Sequence, residues 1–218
     1  MATPLLDLAA RRGVIFPLRT ERLTLTSFAA DDAPAVFDFC RLEEVWTWTS
    51  GRAGSAGELR ESYLAAGDRL TVRAGEAIIG VGKLAVQDAW SQGGPREEAR
   101  DAQAEIGWTI SPAHAGQGYA TELARALLGL AFAGLGVRRV EAHAFADNAP
   151  ILRVMEKVGL RHEGTFKEES LHRTRGWVDG VTYAMLASEH RARGRRLSTS
   201  RRPEVRNSLD ITLRKVAA

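Results

Sequence analysis

Apolar and polar residues alternate along the middle of the chain in the pattern of a β-strand. Ile106, Trp108 and Ile110 would face one side of this strand, and the polar or small residues between them would face the other. Pro112 cannot donate a ladder hydrogen bond, and it favours extended geometry at the residue before it. We therefore predict a strand that ends at Ser111.

Helical spacing follows this strand after a short turn rich in small residues. No proline occurs between Ala120 and Phe132, and large apolar residues recur three to four positions apart. They are Leu123, Leu127, Leu128 and Ala131. The spacing predicts a helix that starts near Tyr119.

Further strands and helices are predicted along the rest of the chain. Alternation predicts strands at residues 23–27, 70–72, 77–86, 139–145, 161–171 and 181–188, with the last two joined around residues 176–180. Capping residues and helical spacing predict helices after residue 32, from 55 to 67 and from 148 to 158. Residues 1–17 form a leader for which the pattern predicts no role.

Composition indicates one domain with a substantial core. The apolar fraction is 44%, yet no apolar run approaches the length of about 18 residues that a membrane-spanning helix needs. The single cysteine, Cys40, excludes an internal disulfide and is typical of a reducing compartment. We expect a cytoplasmic protein without membrane contact, in which Cys40 is a packing residue.

Charge is distributed unevenly along the chain. From residue 190 onwards, eight Arg and one Lys stand against two acidic residues, whereas the preceding 189 residues carry a net charge of −4. We therefore distinguish a leader (1–17), a main domain (18–189) and a basic C-terminal extension (190–218). The acidic main domain suits a cationic or amine partner. The extension is best explained as a solvated tail or as a charged face of a final strand and helix, and contact with RNA, phosphates or another subunit is the alternative.

Two glycines occupy the turn between the central strand and its helix. Glycine lets the backbone turn sharply and lets a ligand approach it, and the first N–H groups of a helix have no partner within the helix. These groups suit a phosphate or pyrophosphate. The pair Gly116 and Gly118 also fits an ordinary turn, and no Gly-Lys-Ser/Thr of a Walker loop follows.

Three blocks in order resemble the GNAT N-acetyltransferases, above all the branch of the ribosomal-protein acetyltransferases RimJ and RimL. The first is Glu-Ile-Gly-Trp, a proline, then Gly-Gln-Gly-Tyr-Ala-Thr-Glu; the second runs from Asp147 to Leu160, with Glu-Gly at 163–164; the third runs from Trp177 to Tyr183. The likeness extends from about Leu18 to about Glu189. It implies an α+β fold with a mixed, mostly antiparallel sheet of about six to seven strands and about four helices.

The resemblance also implies acetyl-CoA as co-substrate, with no metal. The pantetheine arm would follow Trp108, Thr109 and Ile110, and Asn148 would hydrogen-bond the cofactor, cap the helix ahead of Pro150, or do both. Backbone N–H groups would hold the pyrophosphate at Gly116, Gln117, Gly118, Tyr119, Ala120 and Thr121.

Glu105 is the residue that we predict to be the catalytic base, because it lies on the polar face of the central strand and the family often has Glu there. A structural or ammonium-binding role for Glu105 is the alternative. The sequence departs from the family where an acid is expected, since Ile151 and Met155 cannot donate a proton. His143 would share a strand face with Glu141, as a satisfied surface histidine or near the acceptor.

The implied reaction is direct transfer of acetyl to a primary amine in a ternary complex. The acceptor would be a protein N-terminal α-amine, or a small-molecule amine such as an antibiotic or a polyamine. A non-catalytic acyl-CoA-binding or regulatory protein is the contrasting function. A homodimer would be in keeping with this branch of the family.

Overall fold

The computed structural model describes residues 4–93 and 97–199 of the chain. Residues 200–218 of the basic extension, and with them most of its proposed RNA contact, lie outside the described residues. Within the described part, no helix is both long enough and apolar enough to cross a membrane.

One mixed sheet forms the centre of the molecule, and its spatial order is β1-β2-β3-β4-β5-β6-β8-β7. The strands are β1 Leu18–Arg19, β2 Thr24–Ser27, β3 Arg69–Ala74, β4 Ala77–Gln87, β5 Gln103–Ile110, β6 Arg139–Phe145, β7 Arg161–His172 and β8 Gly176–Leu186. Neighbouring strands are antiparallel except β5 and β6. The predicted fold class is confirmed, with eight strands in place of six to seven, because the two residues of β1 are too few to give a recognisable alternation.

Seven α-helices surround this sheet in the described part of the chain, where about four were predicted. They are α1 Leu5–Arg11, α2 Ala33–Cys40, α3 Glu43–Trp46, α4 Ala56–Ala66, α5 Tyr119–Gly129, α6 Ala149–Val158 and α7 Ala187–Thr199. The additional helices are α1 in the leader, the single turn α3, and α7, which continues from the last strand into the basic extension.

Two hydrophobic clusters cover opposite parts of the sheet. In the larger cluster, residues of α5 such as Leu123 and Leu127 pack on the apolar side of the central strands, for example on Leu84 and Ile106. In the smaller one, α2 and α4 cover β4 around Val81. The central helix begins at Tyr119, as predicted, and the central strand ends at Ile110, one residue before its predicted end.

The leader contributes to the larger cluster, although the sequence gave it no role. Leu5, Leu8 and Ala9 are buried in that cluster. The backbone N–H of Leu5 also donates to the carbonyl oxygen of Gly67 at 3.0 Å. Residues 5–11 therefore pack as part of the main body.

The predicted position of the connection between the last two strands was wrong. Residues 176–180, expected to be a connection, belong to β8, and the turn lies at residues 173–175. Gly176 has φ of +75°, which suits the end of a tight turn, whereas Gly180 pairs within the sheet with Phe145 and Phe166. β7 accommodates its extra residues in two irregularities, one between His162 and Gly164 and a larger bulge between Phe166 and Ser170.

β5 and β6 separate part of the way along their length. Their pairing covers three positions and ends with Glu105 opposite Glu141. From there β5 continues beside β4 to Ile110, and β6 continues beside β8 to Phe145. The two strands thus leave a slot in the middle of the sheet.

Candidate active site

A cavity of about 700 Å³ opens at this slot. Trp108 and Thr109 of β5 and Phe145 of β6 line it from the sheet, and Tyr63 of α4 lines it from the covering helices. Of the two tryptophans that precede α4, Trp48 lines the cavity. The cavity therefore combines aromatic walls with the free edges of two diverging strands.

The loop before α5 has the geometry of an anion site. Gly116 and Gly118 have φ of +74° and +81°, and Gly118 is the N-cap of α5. No side chain caps this helix, whereas Ser55 caps α4 and Asn148 caps α6. The residues from the loop into the first turn of α5 can therefore offer backbone N–H groups to a pyrophosphate.

Of the three predicted cofactor residues on β5, two line the cavity and one does not. Trp108 and Thr109 line the cavity, while Ile110 packs against the main core. Gly80 lies so close to the end of β5 that an added Cβ would overlap the carbonyl oxygen of Thr109, which explains the glycine in β4. Asn148 is buried, and its Oδ1 accepts from the Ile151 N–H at 3.4 Å, so it does cap α6.

Glu105 lies where the strands separate, and it already has a cationic partner. Its Oε1 is 2.7 Å from Nζ of Lys83 on β4, and both residues line the cavity. Lys83 lies opposite Gly107, two residues along β5 from Glu105, so the two side chains share a face of the sheet. The sequence did not point to Lys83, because the contact depends on strand register.

His143 also lines the cavity, from the strand on the other side of the slot. Its Nδ1 is 2.9 Å from the hydroxyl oxygen of Thr182, and its Nε2 is 3.7 Å from Oε1 of Glu141. The imidazole is therefore held by sheet neighbours and still lines the cavity.

The two positions at which the sequence comparison places a general acid hold side chains that cannot donate a proton. Ile151 lines the cavity and Met155 is buried in the core. Tyr183 is also buried, and burial together with the charge of Glu156 raises its pKa. Neither Tyr183 nor Tyr119 is among the described residues that line the cavity.

Two titratable groups in the cavity wall are held in their neutral forms. Burial raises the pKa of Cys40 to about 11, although a hydrogen bond from Tyr63 opposes the shift. Burial and the charge of a Cys40 thiolate raise the pKa of Tyr63 to about 12. Cys40 is thus a partly buried thiol rather than a thiolate at neutral pH, in keeping with the predicted packing role.

The end of the β7–β8 hairpin holds the segment after α3, and residues 48–52 of that segment line the cavity. His172 Nε2 lies 3.1 Å from the carbonyl oxygen of Thr47, and Arg173 donates to the carbonyl oxygen of Ser50 at 2.9 Å. On β8, Asp179 accepts from the N–H of Glu168 at 3.0 Å and contacts Lys167, and both partners lie in the β7 bulge. Asp179, part of the third sequence block, thereby fixes the bulge.

A second connection missed from the sequence joins the start of the main domain to the glycine loop. Arg22 and Thr20, in the turn between β1 and β2, contact Glu122 in the first turn of α5. Burial raises the pKa of Glu122, but hydrogen bonds from Thr20 and Arg22 and the charge of Arg22 outweigh it and lower that pKa.

In residues 4–93 and 97–199, no three His, Cys, Asp or Glu side chains group together as metal ligands.

Comparison with known proteins gives a family match and several similar structures. Residues 22–161 match the family model of the acetyltransferase (GNAT) domain. An uncharacterized N-acetyltransferase of Bacillus subtilis, YnaD, is 39% identical over 85 residues, which are 39% of this chain and 49% of that protein. The match thus spans about half the length of this relative.

Two solved structures show the same fold over most of the chain. A GNAT-family acetyltransferase from Bacillus anthracis is 27% identical, with a TM-score of 0.67 over 79% of this chain and 99% of that one. Mycobacterium smegmatis RimJ, solved in complex with CoA-disulfide, is 20% identical, with a TM-score of 0.63 over 84% of this chain and 95% of that one.

Proposed function

Because the chain belongs to the GNAT acetyltransferase family, we propose that it transfers an acetyl group from acetyl-CoA to a primary amine by direct attack in a ternary complex. The observation that supports this most is the slot between β5 and β6, which opens into the 700 Å³ cavity. The start of α5, which no side chain caps, follows the same strand and comes directly after Gly118. The proposed anion site and the proposed acceptor space would therefore both adjoin the end of β5.

In this proposal, backbone N–H groups from Gly116 to Thr121 hold the pyrophosphate, and the edge of β5 from Trp108 to Ile110 binds the pantetheine arm. Acetyl-CoA supplies the activated thioester. A main-chain N–H of β5 near Trp108 would stabilise the negative charge that develops on the acetyl oxygen.

Glu105 is the proposed base, directly or through a water molecule. The acceptor must lose a proton from its ammonium before its nitrogen can attack. Glu105 lies at the start of the slot, but Lys83 shares its carboxylate, so an acceptor ammonium has to compete with Lys83 for the same oxygens. With Ile151 and Met155 at the usual acid positions, the CoA sulfur would leave as a thiolate or take its proton from water.

The proposed acceptor is a cationic amine, either the α-amine of a protein N-terminus or a small-molecule amine. The net charge of −4 on residues 1–189 favours such a molecule over an anionic one. A non-catalytic acyl-CoA-binding protein is the second candidate, because Ile151 in the cavity and the buried Met155 provide no acid.

The test is a reaction of the full chain with acetyl-CoA and a panel of amines. The panel contains peptides with free N-termini, polyamines and aminoglycosides, and both thiol release and product mass are measured. An acetylated amine supports the proposal and identifies the acceptor class. Binding of CoA by calorimetry without any acetylated product would instead support the non-catalytic alternative.

A further inference from the structure

A carboxylate lies beside the proposed pyrophosphate site. Glu122 belongs to the first turn of α5, and its side chain is only 12% exposed. Acidic residues stabilise a helix at this position, but an unpaired one would repel an anionic ligand bound at the same helix end. The residues of the loop and first turn, 115–121, include no Lys or Arg that could offset this charge.

The offsetting charge comes from the turn between β1 and β2. Nε and Nη2 of Arg22 lie 2.8 and 2.7 Å from Oε2 of Glu122. The other oxygen, Oε1, accepts from the hydroxyl of Thr20 at 2.6 Å and from the Arg22 N–H at 2.9 Å. Both oxygens of the carboxylate are therefore bound by residues about 100 positions earlier in the chain.

Arg22 also contacts the loop itself. Its Nη1 donates to the carbonyl oxygen of Gln117 at 2.9 Å, and its guanidinium carbon lies 4.5 Å from the centre of the Tyr119 ring. Between these two residues, a Cβ added to Gly118 would be 3.5 Å from Nη2 of Arg22. One guanidinium thus contacts Gln117 and Tyr119, on either side of Gly118, in the loop whose backbone is proposed to bind the pyrophosphate.

We propose that Arg22 is the positioning residue of this loop and that it makes the site usable by an anion in two ways. It fixes the backbone of Gln117 to Tyr119, and it neutralises Glu122 beside the ligand. The proposal rests on the proposed function, because it takes CoA as the ligand of the loop. The cationic residue of the site therefore lies outside the loop, because the loop itself begins with the uncharged Ala115.

The two effects can be separated with CoA binding measured by calorimetry. Arg22→Met removes the contacts and leaves Glu122 uncompensated, so we expect the Kd for CoA to rise about tenfold or more, as loss of hydrogen bonds to charged groups implies. Arg22→Met combined with Glu122→Gln removes the unpaired charge as well and should recover part of that loss. Arg22→Lys keeps the charge without the fork of donors and should lie between wild type and Arg22→Met.

A control variant and a folding measurement complete the experiment. Arg19→Met removes a positive charge three positions earlier in the chain, whose side chain donates to Thr24. This variant should leave the Kd for CoA near the wild-type value. Circular dichroism and thermal unfolding identify any variant that fails to fold, in which case Arg22→Lys and the double variant decide the question.

The outcomes distinguish this proposal from the proposed function. If the wild-type chain does not bind CoA, both fall together. If wild type binds CoA and Arg22→Met binds it equally well, only the role of Arg22 is overturned. If the double variant binds no better than Arg22→Met, the neutralisation of Glu122 is overturned.

Discussion

Nζ of Lys83 lies 2.7 Å from Oε1 of Glu105, at the position where β5 leaves β6 and the slot begins. The carboxylate of the proposed base therefore has a cationic partner before any acceptor arrives. An acceptor ammonium that approaches Glu105 has to displace the ammonium of Lys83 from the same carboxylate. The same exchange makes Lys83 a natural competitor of the substrate.

Replacement of Glu105 by Gln should lower kcat while CoA affinity stays near wild type. Removal of a general base typically costs about 10²–10⁴-fold in rate. Steady-state kinetics with the acceptor found in the panel, together with CoA calorimetry, would measure the two quantities. Glu76→Gln, in the exposed turn between β3 and β4, is the matched control. Full activity of Glu105→Gln at neutral pH would remove Glu105 from the mechanism.

Replacement of Lys83 by Met should lower the KM for the acceptor amine, because the carboxylate of Glu105 then has no competing cation. The effect should be modest, about two- to fivefold, since ion pairs with partly exposed side chains contribute roughly 0.2–1 kcal/mol. Initial rates at several amine concentrations would show it. An increase in KM would indicate that Lys83 assists acceptor binding instead of opposing it.

Replacement of Gly118 by Trp should abolish CoA binding without unfolding the protein. Gly118 is exposed and has φ of +81°, so a side chain costs roughly 1–2 kcal/mol in backbone strain and projects from the loop. Gly75→Trp is a matched control, because Gly75 has φ of +57° with open space around it in a turn of the β3–β4 hairpin. CoA calorimetry and thermal unfolding of both variants measure the effect, and retained affinity in Gly118→Trp would move the ligand elsewhere.

The sequence predicted the central strand, loop and helix well because their signals are local. Alternation, Pro112 and the glycines all act within a few residues of the feature that they specify. Leu5, Leu8 and Ala9 carry a helical spacing too, but a seven-residue helix gives too few repeats to distinguish it from a leader without structure. The role of the short α1 is therefore recognised only from the burial of its apolar residues in the structure.

The contacts that complete the candidate site depend on long-range packing, and the sequence contains no local signal for them. Arg22 and Glu122 are 100 positions apart and meet only because the β1–β2 turn lies beside the start of α5. Lys83 reaches Glu105 only in one antiparallel register of β4 and β5, and a shift by one residue would turn it to the opposite face. A residue-type pattern could suggest Glu105, but not the partner that occupies it.

Cys40 should react slowly with iodoacetamide in the folded protein. Burial raises the pKa of its thiol from 9.0 to about 11, so the thiolate fraction at pH 8 falls about 100-fold, and the thiolate is the reactive form. Mass spectrometry of native and urea-unfolded protein after timed alkylation would compare the two rates. Tyr63→Phe removes the hydrogen bond that lowers this pKa and should slow the reaction further. Rapid alkylation of the native wild type would contradict the burial of Cys40.

Acid should destabilise the edge of the sheet through Glu163 on β7. Hydrogen bonds from Arg139 and Arg161, at 2.5 and 2.6 Å, and the charges of both outweigh burial and lower the pKa of Glu163 from 4.5 to about 2. A carboxylate with a lowered pKa in the folded state contributes stability that is complete above its unfolded pKa and disappears as the pH falls through the folded one. The contribution of Glu163 should therefore be lost between about pH 5 and pH 2.

Glu163→Gln should unfold at a lower temperature than wild type at pH 7, and the difference should shrink as the pH falls towards 2. Thermal unfolding followed by circular dichroism at a series of pH values measures both curves. Glu76→Gln, which removes an exposed carboxylate from the β3–β4 turn, should follow the wild-type curve throughout. If the difference between Glu163→Gln and wild type were the same at pH 7 and pH 3, the two arginines would not be stabilising the ionised form of Glu163.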